Sequence, residues 1–205
     1  MAEIIYTRIE RAIVARLREG LGKMVRACDS YGGELDDDLG NVITLLPAVW
    51  VTFGGINDTK PVSTARQKYR VSGTWVVMIG EKTNVRGNQP GRQGGPMITE
   101  VGTYPLLYAV RRLLSGQDLG IEIDQLRPGR VRTLFNTRVS QTPMTAFAAE
   151  FRADWIEAAL DNGRWPAPEG IDDLDALFAR HAGRTDTPYP DVSGINIPLP
   201  TQVGD

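Results

Sequence analysis

Few residues in this chain could carry chemistry, and their neighbours decide what kind. The single histidine, His181, sits between arginines in "FARHAGR", with no plausible nucleophile beside it. Triad chemistry needs a nucleophile within hydrogen-bond reach of its base, so His181 has nothing to activate. The single cysteine, Cys28, lies in "VRACDSY" among small residues and reads as a buried small hydrophobe. Glu34, Asp36, Asp37 and Asp38 supply hard oxygen ligands, but without the spacing and glycine placement of a calcium loop they read as a solvated turn. "GRQGG" and "GGIND" lack both the Walker lysine and the GxGxxG pattern that opens a helix. These residues therefore predict no catalytic residue, no cofactor and no metal site.

The arginines remain. Arg127, Arg130, Arg132 and Arg138, with Arg86 and Arg92, make the one candidate basic surface. Aromatic residues are not interleaved with them as in a single-strand binder, so they read as surface and inter-subunit ion pairs. A net charge of -2 and a pI near 5.5 also argue against a general nucleic-acid coat. Arg86 and Arg92 fall in "EKTNVRGNQPGRQGGP", Glu81 to Pro96, which carries four glycines and two prolines. A loop of this length is uncommon in a compact domain unless it binds something or is disordered.

Elements must position these residues. Ile4, Ile5, Ile9, Ala12, Ile13 and Leu17 recur at helical spacing, and Gly20 and Gly22 are read as the stop. "MVRACDSY" predicts a short strand and "LLPAVWVTFGG" a buried strand bounded by glycines, with Pro47 at its entry. Gln67 to Gly80 alternates at first and then turns apolar on both faces, as a central strand does. A second helix follows the loop, with Thr103 as its cap, Pro105 in the first turn, a stripe of Leu106, Leu107, Val110, Leu113 and Leu114, and Gly116 as its stop. "LRPGRVRTLF" predicts a turn at Pro128 and Gly129 leading into a strand. Met144 to Ile156 fits a helix and a strand alike, because Phe147, Phe151 and Trp155 are four apart while Ala149 and Ala153 complete an alternation; propensity favours helix.

From Asp161 the composition changes. Six of the 13 prolines (Pro166, Pro168, Pro188, Pro190, Pro198 and Pro200) lie beyond it, around one short helix-like run, "DDLDALFARH". The expected organisation is a compact domain over 1–160 and an extended arm over 161–205. Trp165, Phe178, Tyr189 and Ile197 are spaced along that arm to enter separate pockets on a partner. No segment reaches the roughly 18 apolar residues of a membrane span, and one cysteine makes no intramolecular disulfide. A soluble intracellular protein is expected.

Together, "IERAIVARLREGLG", "VRACDSYGGELD", "LLPAVWVTFGG", "VGTYPLLYAVRRLLSGQDLGIEIDQLRPGRVRTLF" and "AAEFRADW" resemble the tail terminator (tail completion) family of Mu-like phages and prophages. The resemblance implies an α+β fold, a mixed and mostly antiparallel β-sheet flanked by two main helices, with the proline-rich arm appended. It favours a strand for Met144 to Ile156. It further implies a non-enzymatic subunit of a hexameric ring at the head-proximal end of the tail, assembled in the host cytoplasm. The ring would stop polymerisation of the tail tube and meet the neck. Expected partners are other copies of the chain, the tube protein, a neck or connector protein and, in a contractile tail, the sheath, with genomic DNA passing through the lumen without sequence-specific contacts and no membrane involved. Interface residues are expected at Arg86, Arg92, Arg127, Arg130, Arg132, Trp165, Phe178, Tyr189 and Ile197. The alternatives are a neighbouring head–tail connector or a metal-dependent nucleic-acid-processing enzyme using the acidic turn and the arginines.

Overall fold

The computed structural model describes residues 3–33, 43–82, 92–93, 101–139 and 142–186. They divide into two compact units, Glu3–Ala159 and a second from Leu160 onward.

The first unit is a five-stranded sheet. Its strands are β1 (Ala27–Ser30), β2 (Ala48–Pro61), β3 (Lys68–Lys82), β4 (Arg127–Val139) and β5 (Thr142–Ala158), in the spatial order β1-β2-β3-β5-β4. Only β1 pairs in parallel, with β2; the other three pairings are antiparallel. Among the described residues two main helices accompany the sheet, α1 (Ile5–Leu21) and α2 (Thr103–Leu114). The fold is thus α+β with a mixed, mostly antiparallel sheet, as the sequence resemblance implies.

Both helices bury their apolar stripes in one core. Ile9, Ile13 and Leu17 of α1 and Leu106, Val110 and Leu114 of α2 are fully buried against Val49, Val51, Trp75, Val77 and Phe151 of the sheet. Each such side chain contributes roughly 1.5–3 kcal/mol on burial, which is what sets the register of the strands beneath. Hydrogen bonds fix the helices in place: Arg16 donates to the Leu113 carbonyl at 2.6 Å, and Arg18 to the Cys28 carbonyl at 2.8 Å. Gly20 lies within α1 rather than ending it, because the helices approach so closely that a Cβ there would come within 2.5 Å of Leu113. Gly22, at φ 50°, takes the cap position.

Four aromatic rings tie α1 to the sheet. Tyr6 meets Phe53 at 5.2 Å and Trp155 at 5.5 Å, and Trp75 meets Phe53 at 5.1 Å and Trp155 at 5.6 Å. Such tilted and edge-on contacts favour the ring quadrupoles. Gly73 is the floor under this cluster, since a Cβ on it would fall 2.5 Å from the Trp155 ring. Glu157 accepts from the Tyr6 hydroxyl at 2.7 Å and from Trp155 Nε1 at 2.8 Å.

Three local expectations are corrected. The glycines of "GGIND" do not bound a strand; β2 runs through them to Pro61, with a register shift between Phe53 and Gly55 and Gly55 at φ 112°. Pro128 and Gly129 make no turn before β4 but lie inside it, at another register shift. β4 pairs with β5 alone, so its outer edge needs no N–H from Pro128. At the start of α2 the cap position belongs to Gly102, φ 78°, and Thr103 is the first helical residue, fully buried. The segment that propensity assigns to a helix, Met144 to Ile156, is strand β5, held between β3 and β4.

Among its described residues the second unit contains one short helix, α3 (Ala176–Arg180). Over its described residues the chain doubles back, so that the Asp186 N–H donates to the Pro166 carbonyl at 3.0 Å.

Candidate interaction surface

The sheet face opposite the helices is built by alternation. Residues 70, 72, 74, 76 and 78 of β3 stand beside 156, 154, 152, 150 and 148 of β5. One end of this face is apolar, where Leu46, Ala48, Trp50, Met78, Met144 and Ala146 form a second, smaller cluster. The other end is charged.

Asp154 is the centre of the charged end. Its side chain is only 9% exposed, accepts from Arg127 at 2.5 Å and from Arg70 Nε at 3.1 Å, and receives a further bond from Ser72. Arg70 also bridges to Asp124, whose backbone N–H donates to the Asp154 carbonyl at 2.8 Å. Burial by itself raises the Asp154 pKa, but the hydrogen bonds from Ser72 and Arg70 and the charges of Arg127 and Arg70 outweigh it and hold the carboxyl below its usual range. A carboxylate so engaged is a poor general base. The cleft beside it, about 370 Å³, is lined by Arg70, Glu122, Asp124 and Asp154 with Ile123, Trp155 and Ile156. Arg70 and Arg127 remain about half exposed, so their outward N–H groups can meet an external acceptor.

The expected interface arginines are thus only partly brought together. Arg127 joins the Asp154 cluster, and Arg132, opposite Ala148, shares its face. Arg130 is exposed within the irregular stretch of β4. Arg92 is half-buried in the described pair 92–93, and Arg86 lies outside the described residues. In the second unit Trp165 and Phe178 are exposed, at 42% and 44%, and line one pocket of that unit, while Tyr189 and Ile197 lie outside the described residues. The acidic turn Glu34 to Asp38 and most of the glycine-rich loop also lie outside them.

Two titratable residues bear on the chemistry. Cys28 is buried, and burial chiefly raises its thiol pKa to about 11, which keeps it protonated and unreactive at neutral pH. Glu81 was not legible as special in the sequence, where it only begins the loop. In the fold it is 5% exposed, opposite Thr145, and its Oε2 has no hydrogen-bond partner among the described residues. Burial is the main cause of a pKa raised to about 7, partly offset by the Lys82 backbone N–H and the charges of Lys82 and Arg26. Asp154 and Arg70 were missed as well, because their pairing depends on the β3–β5 register. The sequence offered little signal, since Arg70 and Asp154 are each one of several charged residues on β3 and β5.

Among the described residues no cluster of histidine, cysteine, aspartate or glutamate could hold a metal ion, and no helix is long and apolar enough to cross a membrane. A sheet packed on one face by helices, with ion pairs at one end of the opposite face and β4 at the edge among the described residues, defines an α+β fold. A family model described as Bacteriophage Mu, Gp37 matches residues 5–156, most of the chain. The chain belongs to this family of phage tail terminators. No curated protein matches it. Family membership makes it a phage structural protein of tail-terminator type, belonging to the virion tail.

Proposed function

We propose that this protein assembles as a hexameric ring on the head-proximal end of the tail tube, stops tube polymerisation there, and presents the surface on which the neck docks. Membership of the Gp37 family over residues 5–156 is the observation that carries this reading. The geometry is compatible with it. A ring built from identical heterologous contacts needs two different, rigid patches on each subunit. The Arg127 and Arg132 face of the sheet supplies one such patch, with Arg130 beside it on the edge strand. Arg86 and Arg92, in a loop where glycines allow close backbone approach, reach across to the next subunit. The segment from Asp161 onward fastens each subunit to a neighbour through its apolar side chains. The ring does no turnover chemistry.

Native mass measurement of the purified protein, alone and bound to tail tubes, tests the proposal. Six copies on the tube are expected, and a protein that stays monomeric on tubes would overturn it. Phage lacking the protein should make tails of uncontrolled length or tails that fail to join heads.

A further inference from the structure

The Leu160–Asp186 unit keeps its apolar side chains on the outside. Leu160, Trp165, Leu174, Leu177 and Phe178 are 42–53% exposed and Ile171 is 80% exposed, while only Pro166 and Ala176 are buried among its described residues. Polar contacts close the unit instead. The Asp186 carboxylate accepts from the Trp165 backbone N–H and from Arg164 Nε, each at 3.0 Å. Asp173 and Asp175 accept backbone N–H groups of Glu169 and Ala167 at 2.9 and 3.3 Å. The Arg184 guanidinium lies 4.5 Å over the Trp165 ring. These contacts leave a pocket of about 520 Å³ whose walls include Leu160, Trp165, Pro166 and Phe178, with Arg164 and Arg184 also lining it.

The sequence carries a segment of matching chemistry just beyond. Residues 187–205 contain Pro188, Pro190, Pro198 and Pro200, the apolar Tyr189, Ile195, Ile197 and Leu199, and Asp191 and Asp205, but no lysine or arginine. Proline-rich segments favour the polyproline II conformation, which docks in aromatic-lined grooves at small entropic cost. An acidic, apolar, proline-rich strand complements a pocket walled by tryptophan, proline and phenylalanine and lined by two arginines.

We propose that this pocket receives the Tyr189–Pro200 segment of a second copy of the chain, so that each copy both donates a proline-rich strand and accepts one. The exchange deepens the ring reading and rests on it for its geometry. Backbone preference favours a neighbour over the same chain. Asp186 is tied to Pro166 and Arg184 to Trp165, so the last described residues lie beside the pocket. Pro188 and Pro190 bias Thr187 and Tyr189 toward extended backbone, against an immediate reversal onto Trp165. At roughly 3.1 Å per residue the strand from Tyr189 to Pro200 reaches about 35 Å, enough to cross to a neighbouring subunit.

Cysteine cross-linking of the full-length chain tests this. Phe178→Cys and Ile197→Cys are made in separately tagged copies, mixed under assembly conditions and oxidised gently at neutral pH, where buried Cys28 stays silent. A cross-link between the two tags is expected in the mixture and in neither variant alone. An excess of synthetic peptide of residues 187–205 should abolish it while a scrambled peptide does not, and adding Trp165→Ala to the Phe178→Cys copy should lower the yield by about tenfold or more. No cross-link in the mixture overturns the proposal, as does an intrachain link in the dilute double variant, which would place the strand in its own pocket. Capture of the Ile197→Cys copy by a tube or neck protein instead would equally overturn it. Native mass read on the same samples separates the two readings: six copies without the cross-link removes the exchange alone, and cross-linked copies in an assembly of another size removes the hexamer alone.

Discussion

The two compact units use their apolar residues in opposite ways. Glu3–Ala159 hides most of them, though Ile56, Tyr108 and Ile156 stay exposed: Trp75 and Phe151 are fully buried, Trp155 is 3% exposed, and a helix pair seals one face of the sheet. Leu160–Asp186 shows them, closing on Asp173, Asp175 and Asp186 while Trp165 and Phe178 face outward. The sheet unit is stabilised by area removed from water and resists local change. The second is stabilised by a few bonds, each worth about 0.5–1.5 kcal/mol net or somewhat more when charged, and leaves its hydrophobic surface for a partner.

The contrast breaks most sharply at Trp155. Trp155→Ala removes a ring lying over Gly73, touching Tyr6 and Trp75, and should cost about 3–5 kcal/mol. Urea unfolding followed by circular dichroism would show it; a loss below about 1 kcal/mol would mean the aromatic cluster is not the keystone of the sheet unit.

Next in size is a test of burial within the sheet unit. Glu81 has its pKa raised from 4.5 to about 7, so between those values the folded state holds a proton that the unfolded chain has released. Stability therefore falls as pH rises from about 4.5 to 7, by at most on the order of 3 kcal/mol. Glu81→Gln should abolish that decline, matching the parent near pH 4 and exceeding it near pH 8. Thermal melts across this pH range would decide, and parallel curves for the two proteins would show that Glu81 ionises freely.

Asp186→Ala probes the second unit. Losing the bonds to Arg164 and Trp165 should loosen that unit by about 1–2 kcal/mol, seen as faster hydrogen exchange over residues 164–186. The sheet unit's unfolding should not move, and a matching drop in its Tm would join the two units into one cooperative body.

Smallest is Asp154→Asn. With partners half exposed and screened by water, its loss should cost about 1 kcal/mol, less in high salt. The sign opposes that of Glu81. A depressed pKa gives stability that is present above the ordinary value of 3.8 and lost as pH falls through the folded value. Charge reversal at the exposed Arg132, by contrast, should disturb assembly more than folding, read as loss of the high-mass species at an unchanged Tm.

Much of the fold was legible because it depends on short-range pattern. The 3.6-residue stripe of α1, the apolar run of β2 and the two-sided apolar half of β3 each record what a helix or strand must bury. The same local patterns misplaced the glycines of "GGIND" and the Pro128–Gly129 pair, since a bulge and a turn ask for the same residues and only the partner strand distinguishes them. The residues of β5 fit a helix and a strand alike and only the family resemblance favoured the strand; in the fold β3 and β4 stand on both sides of it, their hydrogen bonds overriding its helix propensity. The site was least legible for the same reason. Arg70, Asp124, Arg127 and Asp154 are dispersed along the chain and become one cluster only through strand register, and Glu81 is an ordinary acid until the fold removes its water. By itself the sequence determined which segments must bury a face and which must stay open, because that choice follows from side-chain periodicity and composition. Only the tertiary structure decided which charges meet and which lose their solvent, because Coulomb energy and desolvation depend on distance and surroundings that chain order does not encode.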